Sequence, residues 1–205
     1  MTLTLLHTAE VHRAAFDGLR DRIAPGVHLD HIVRPDFLER ARNGIDPALA
    51  EEIAAAITAA PGPVICTCTT IGPVAACAGA IRVDAPMMQA AAWTRGAVLM
   101  VYCLDSTRAP SLGLLQDAMR EAGHSGPVIP LSLTNLWPLF AEGQTKDFAD
   151  ALARAIRQKA AQIPDLGAIV LAQVSMAGAA GLLGDLDLAV LSSPDLALRA
   201  GLARL

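Results

Sequence analysis

Two short segments carry the residues best suited to chemistry. Val64-Ile65-Cys66-Thr67-Cys68-Thr69-Thr70 lies in the first half of the chain, and Ile169-Val170-Leu171-Ala172-Gln173-Val174-Ser175 in the second. Each is an apolar run that reads as a buried strand, followed by small and hydroxyl-bearing residues able to open a helix. Superposed, the segments set Cys68 opposite Gln173 and Thr70 opposite Ser175. A thiol where a strand gives way to a helix can serve as base or nucleophile, its pKa lowered by the helix amides. The plainer reading makes Cys68 a small buried hydrophobe, the commonest role of cysteine. Gln173 brings an amide, which neither takes nor gives a proton at neutral pH. The pair is one-sided.

Hydroxyls surround both positions. Thr69 and Thr70, with the backbone amides of a helix start, would make a cradle for a carboxylate. Ser106-Thr107 follows the fifth expected strand as His7-Thr8 follows the first, so Thr107 is a second binding candidate, with helix capping an equal explanation. His7 either lines a cleft or simply ends a strand. Cys66, Cys77 and Cys103 read as core. His28 and His31, three apart on an expected strand, point to opposite faces and make a poor metal pair. The histidines and cysteines form no zinc set, and glycine-rich dinucleotide and phosphate loops are missing, so no metal or cofactor is expected. Asp84 reads as a helix cap; Arg95, Arg108 and Trp137 are cleft candidates, with solvated surface positions the better assignment for the two arginines.

These groups need a scaffold, and apolar runs alternate with helical segments almost throughout. Strands are expected at Leu3–Leu6, Val27–Val33, Pro63–Cys68 and Ala80–Val83, and in a second round at Val98–Cys103, Val128–Leu133, Ala168–Ala172 and Leu188–Leu191. Helices are expected at Glu10–Ile23, Pro35–Arg42, Asp46–Ala59, Pro86–Thr94, Ser111–Ala122, Lys146–Gln162 and Met176–Leu183, with a last one capped by Ser193-Pro194. Asp46 before Pro47 is a cap followed by proline at the first helical position. Such alternation implies α/β architecture with parallel sheets, right-handed crossovers and ligands outside the carboxyl ends of the strands. Two α/β lobes follow, one over residues 1–94 and the other over 95–192.

Composition narrows the classes further. Of 205 residues, 53% are hydrophobic but only 3% aromatic, so the core must be aliphatic. A net charge of −4 without a basic cluster argues against a nucleic-acid surface, and leaves a small anion to be held by local donors. No uninterrupted apolar segment reaches membrane-spanning length, and the N-terminus lacks the basic start of a signal peptide. Four cysteines without paired spacing suggest a reduced, cytoplasmic setting. Self-association into a homo-oligomer is left open.

The runs Cys-Thr-Thr-Ile-Gly at 68–72, Val-Asp-Ala-Pro-Met at 83–87 and Ile-Val-Leu-Ala-Gln-Val-Ser-Met-Ala at 169–177 resemble the aspartate/glutamate/hydantoin racemase superfamily. The opening Leu-Leu-His-Thr-Ala and Leu-Ser-Ser-Pro at 191–194 are also similar to it, so the resemblance spans the chain. It implies two pseudo-symmetric lobes with an active site between them, the C-terminal helix at 193–205 joining the first lobe, and cofactor-independent chemistry in which one cysteine from each lobe faces the substrate's α-carbon. By position Cys68 would be the first cysteine, with Thr69, Thr70, Thr107, Ser175 and His7 around a small carboxylate or amino-acid-like substrate. Gln173 stands where the second cysteine would be. A two-base mechanism needs an acid and a base on opposite faces. The substitution therefore points either to a racemase with an altered second base or to one-sided isomerase or decarboxylase chemistry. A non-catalytic carboxylate-binding protein is the rival.

Overall fold

The computed structural model describes residues 2–205, which group into two compact units: the chain up to Ala85 with Pro194–Leu205, and Pro86–Ser193. In the first, strands β1 (Thr2–His7), β2 (His28–Val33), β3 (Val64–Cys66) and β4 (Ile81–Arg82) form a parallel sheet in the order β2-β1-β3-β4. Helices α1 (Val11–Ile23), α2 (Pro35–Ala41), α3 (Pro47–Thr58) and α4 (Gly72–Cys77) are its crossovers. The central strands β1 and β3 are buried almost throughout, whereas edge strand β2 is largely half-buried. Near-continuous apolar runs are what a parallel sheet covered on both faces demands. The α3 start follows its sequence signal, since Asp46 Oδ1 accepts from Leu49 N at 2.7 Å with Pro47 at the first helical position. Phe37, Leu49, Ile53 and Ile57 close the core beneath Cys66 and Ile71.

The second unit repeats the plan. After α5 (Ala85–Ala92), strands β5 (Ala97–Tyr102), β6 (Val128–Ser132), β7 (Leu166–Leu171) and β8 (Ala189–Ser192) form a parallel sheet ordered β6-β5-β7-β8. Its helices are α6 (Asp105–Glu121), α7 (Trp137–Ala141), α8 (Thr145–Ala160) and α9 (Gly178–Leu182). On α8, Phe148, Leu152, Ala153 and Ile156 are buried at helical spacing, an apolar stripe against the sheet. Gly167 passes so close to Arg95 that a Cβ there would lie 1.5 Å from the Arg95 carbonyl oxygen. The closing helix α10 (Ser193–Leu202) packs within the first unit, where a Cβ on Gly201 would come 2.7 Å from Ile65.

The α/β class with two parallel sheets is as the sequence implies. Three local features differ. Helix α6 begins at Asp105, not Ser111, because the helix runs through Pro110 although proline usually ends or kinks one. Strand β3 stops at Cys66, two residues short of Cys68. Trp137, a cleft candidate by sequence, packs its ring on Phe140, 5.1 Å between centroids, beside the core of the second unit. Among the described residues no helix is long and apolar enough to cross a membrane.

Candidate functional site

The candidate side chains lie at the carboxyl edge of each sheet, where chain direction reverses and backbone groups are released from strand pairing. In the first unit β1 ends at His7 and its neighbour β3 at Cys66, so His7 and the Thr67-Cys68-Thr69-Thr70 turn lie on adjacent strand ends. Cys68 is buried, at 8% exposure, and Thr69 is buried beside it in sequence. The first helical residue is Gly72, and Gly72 N donates to Thr69 O at 3.2 Å. Cys68 therefore precedes a six-residue helix by four positions. The field of a helix end falls off within about one turn, so the activating helix start expected at Cys68 is not what the fold supplies there.

Other groups surround the turn. The Cys66 thiol donates to Cys68 O at 3.5 Å; burial, then the neighbouring Cys68, push the Cys66 thiol far above the usual range. It stays a neutral donor that steadies the Cys68 carbonyl. On the neighbouring strand Arg82 clasps Asp84 with two bonds, Nε to Oδ1 at 2.9 Å and an Nη to Oδ2 at 2.7 Å, and Asp84 is almost wholly buried. Asp84, expected as a helix cap, thus serves an ion pair. Gly72 packs on that guanidinium: a Cβ would stand 3.1 Å from Arg82 Nε.

His7 is fully buried and both of its ring nitrogens have partners. Nδ1 lies 2.8 Å from Thr67 Oγ1, and Nε2 lies 2.8 Å from Nδ1 of His31, whose Nε2 is 3.4 Å from Asp17 Oδ1. Burial above all, and then the nearby His31, push the His7 pKa down to about 3, so its ring is neutral. His31, Asp17 and Thr67 were missed by sequence reasoning. The β1–β2 register pairs Leu5 with His31, which puts His31 on the face that His7 shares with Leu5. Only that register reveals the pair.

At the second carboxyl edge, Gln173 follows β7 by two residues, the offset at which Cys68 follows β3. Its side chain reaches across to the end of β5, where Oε1 accepts from Cys103 N at 2.5 Å. A backbone N–H can only donate, so the amide's orientation is set: the carbonyl is taken and Nε2 is left as a donor. Thr107 is buried in the first turn of α6, its N–H donating to Leu104 O at 3.0 Å. Ser175 sits in a single 3-10 turn over Val174–Met176 and its buried Oγ has no hydrogen-bond partner. Burial pushes the Cys103 thiol up to about 12, out of range for proton transfer near neutrality. Cys103 reads correctly as core, but Cys77 does not: it is exposed at the end of α4. A single turn of helix has a solvent side, and apolar composition does not say which residue faces it.

Thus His7, Cys68, Thr69 and Thr70 come together in one unit, and Thr107, Gln173 and Ser175 at the corresponding edge of the other. Arg95 and Arg108 are exposed. Among the described residues no three His, Cys, Asp or Glu side chains converge as a metal site.

No protein-family model and no curated protein sequence matches the chain. Solved structures do. Glutamate racemase from Francisella tularensis, in complex with D-glutamate, superposes with a TM-score of 0.71 at 11% identity, covering 98% of this chain and 80% of that one. An aspartate racemase from Picrophilus torridus gives 0.64 at 14% identity, covering 98% and 94%. A cysteine-substituted arylmalonate decarboxylase in its sulfate-associated form gives 0.54 at 14% identity, covering 99% and 92%. The fold is that of the aspartate/glutamate racemases.

Proposed function

We propose that the protein is an enzyme acting on a small carboxylate or amino-acid-like substrate, with Cys68 as the single proton-transferring group. Racemases and a decarboxylase share this fold, which supports that class of substrate. The observation that carries the one-sided reading is the Gln173 bond to Cys103 N. It turns the position equivalent to Cys68 into a pure hydrogen-bond donor, able to hold a carboxylate or an enolate oxygen but unable to exchange a proton. In this reading the Cys68 thiolate removes a proton from the carbon next to a carboxylate, or its thiol delivers one there. The hydroxyls of Thr69 and Thr70 bind the oxygens on which charge develops, the usual means of stabilising such a transition state, and Thr107, Ser175 and the Gln173 Nε2 hydrogens are the donors at the corresponding edge of the second unit. No cofactor is assigned a role.

Incubation in deuterated water with amino acids, hydantoins, malonates and maleate tests this. The expected result is exchange at the α-carbon, or loss of carbon dioxide, with one handedness of product. Inversion as fast as exchange would show two working bases and sink the one-sided mechanism. A second reading is favoured by the four-residue gap between Cys68 and α4, which leaves the thiol without a helix end beside it. In that reading the protein binds a small carboxylate without turnover. Saturable binding with no exchange, inversion or decarboxylation of any bound compound would decide for it.

A further inference from the structure

The file Asp17–His31–His7–Thr67, buried except at Asp17, admits more than one arrangement of its protons. Four contacts define it: Asp17 Oδ1 to His31 Nε2 at 3.4 Å, His31 Nδ1 to His7 Nε2 at 2.8 Å, His7 Nδ1 to Thr67 Oγ1 at 2.8 Å, and Thr67 Oγ1 to Leu6 O at 3.1 Å. Leu6 O also accepts from Thr67 N at 2.9 Å, so it does not depend on the hydroxyl. Each hydroxyl has one proton, and each neutral imidazole has one N–H and one lone pair.

Two proton arrangements fit. In the first, Thr67 Oγ1 donates to His7 Nδ1, His7 Nε2–H donates to His31 Nδ1, and His31 Nε2–H donates to the Asp17 carboxylate. Both rings are neutral and the Thr67 hydroxyl is turned from Leu6 O. In the second, one proton more is bound. His31 carries both N–H groups and donates to Asp17 and to His7 Nε2; His7 holds its proton on Nδ1 and donates to Thr67 Oγ1, which donates to Leu6 O. The extra proton comes from solvent, on the side of Asp17, which is 41% exposed where His31 is 4%. Between the two states His7 changes tautomer without ever becoming charged, in keeping with its low pKa.

Resting on the assignment of Cys68 as the reacting thiol, we infer that Asp17, His31 and His7 form a one-proton relay that sets the hydrogen bonding of Thr67 and the reactivity of Cys68, the next residue. These are positioning residues, since none touches the reacting atoms. The charge on His31 is opposed by Asp17, while Arg20, which bonds Asp17 at 3.3 Å, and His12 and Arg13 on α1 are the other charged or titratable groups facing the file. Thr67 immediately precedes Cys68, so the hydroxyl that the relay turns belongs to the same strand-end turn as the thiol.

The test uses the full chain with Cys77→Ser, which removes the exposed competing thiol. Imidazole nitrogen NMR between about pH 5 and about pH 9, the span in which histidines ordinarily titrate, should show the His7 proton moving from Nε2 to Nδ1 on acidification. The iodoacetamide rate at Cys68 should show a step, about three- to tenfold, over the pH span in which the His7 tautomer changes, and His31→Gln should remove that step. Asp17→Asn, on a half-exposed helix position that leaves the fold intact, should move the tautomer change to lower pH, because the carboxylate no longer supports the cation. A single His7 tautomer throughout, an Asp17→Asn transition that does not move, or a His31→Gln profile identical to the parent would overturn the relay. Failure of the enzymatic assignment appears elsewhere, as turnover that survives Cys68→Ser, and leaves the tautomer measurement unaffected.

Discussion

The two carboxyl edges share a strand order and a two-residue offset, yet one carries a thiol beside a histidine pair and the other an amide and hydroxyls. The first holds Cys68, a histidine pair and a buried Arg82–Asp84 ion pair. At the second, Gln173, Thr107 and Ser175 are neutral, and the one buried thiol, Cys103, is locked in its protonated form. The scaffold is indifferent to this divergence. Parallel strands present their ends at the same edge whatever follows them, so a two-residue segment can change its chemistry without changing the sheet beneath.

The sharpest way to break the comparison is to exchange the chemistry of the first edge. Cys68→Ser should lower the deuterium-exchange or decarboxylation rate by about 10²–10⁴-fold, the usual worth of a positioned acid or base. Cysteine and serine are similar in size, so the urea midpoint should barely move. Retained activity would mean that Cys68 is only a packed side chain.

Acid should also separate the two units. Burial lowers the pKa of His7 to about 3 and of His12 to about 4, against an unperturbed 6.5. As pH falls through 6.5 the unfolded chain takes up these protons first, so folding loses stability; the loss continues until the folded-state values are reached. Each group costs about 1.4 kcal/mol per pH unit at most, or roughly 2–5 kcal/mol together by about pH 4.5. The carboxyls of Asp36 and Asp185, held below their usual range chiefly by hydrogen bonds from Arg34 and Arg157, remain ionised in that window. Hydrogen exchange followed from neutral pH to about pH 4.5 should therefore show β1 and β3 losing protection before β5 and β7. Equal loss in both sheets would show that the histidines do not set the acid limit.

Gln173 sharpens the contrast from the other side. Gln173→Ala orphans the buried Cys103 N–H and should cost about 1–3 kcal/mol in chemical denaturation. Gln173→Glu keeps an acceptor for that N–H but loses the free donors, so it should be more stable than the alanine variant while binding a carboxylate less well. Gln173→Cys should pay most of the alanine penalty and add inversion to a substrate that the parent only exchanges. If the glutamate and alanine variants are equally unstable, the bond to Cys103 is not what holds the side chain.

The smallest effect serves as a control. Cys77→Ser lies on an exposed position and should change stability by no more than about 0.5 kcal/mol, while removing the first thiol that iodoacetamide reaches. A larger change would mean that the end of α4 contributes to the core.

Much of the fold was legible because its causes are local. Alternating apolar runs and helical periodicity mark eight strands near their observed places, Asp46-Pro47 marks the start of α3, and the matching positions of Cys68 and Gln173 follow from counting beyond the ends of β3 and β7. The composition fits Ala- and Leu-rich helices packed on sheets of Val, Ile and Leu, and the βα alternation makes those sheets parallel. What needed the tertiary structure was every feature that depends on one strand lying beside another. The β1–β2 register brings His31 to His7, the β5–β7 pairing brings Cys103 N within reach of Gln173, and packing decides that α6 runs through Pro110 and that Cys77 faces outward. Side-chain period tells which face a residue occupies within its own strand. Which residue it meets is decided by pairing between segments far apart in the chain, where hydrogen bonds and proton positions are settled together.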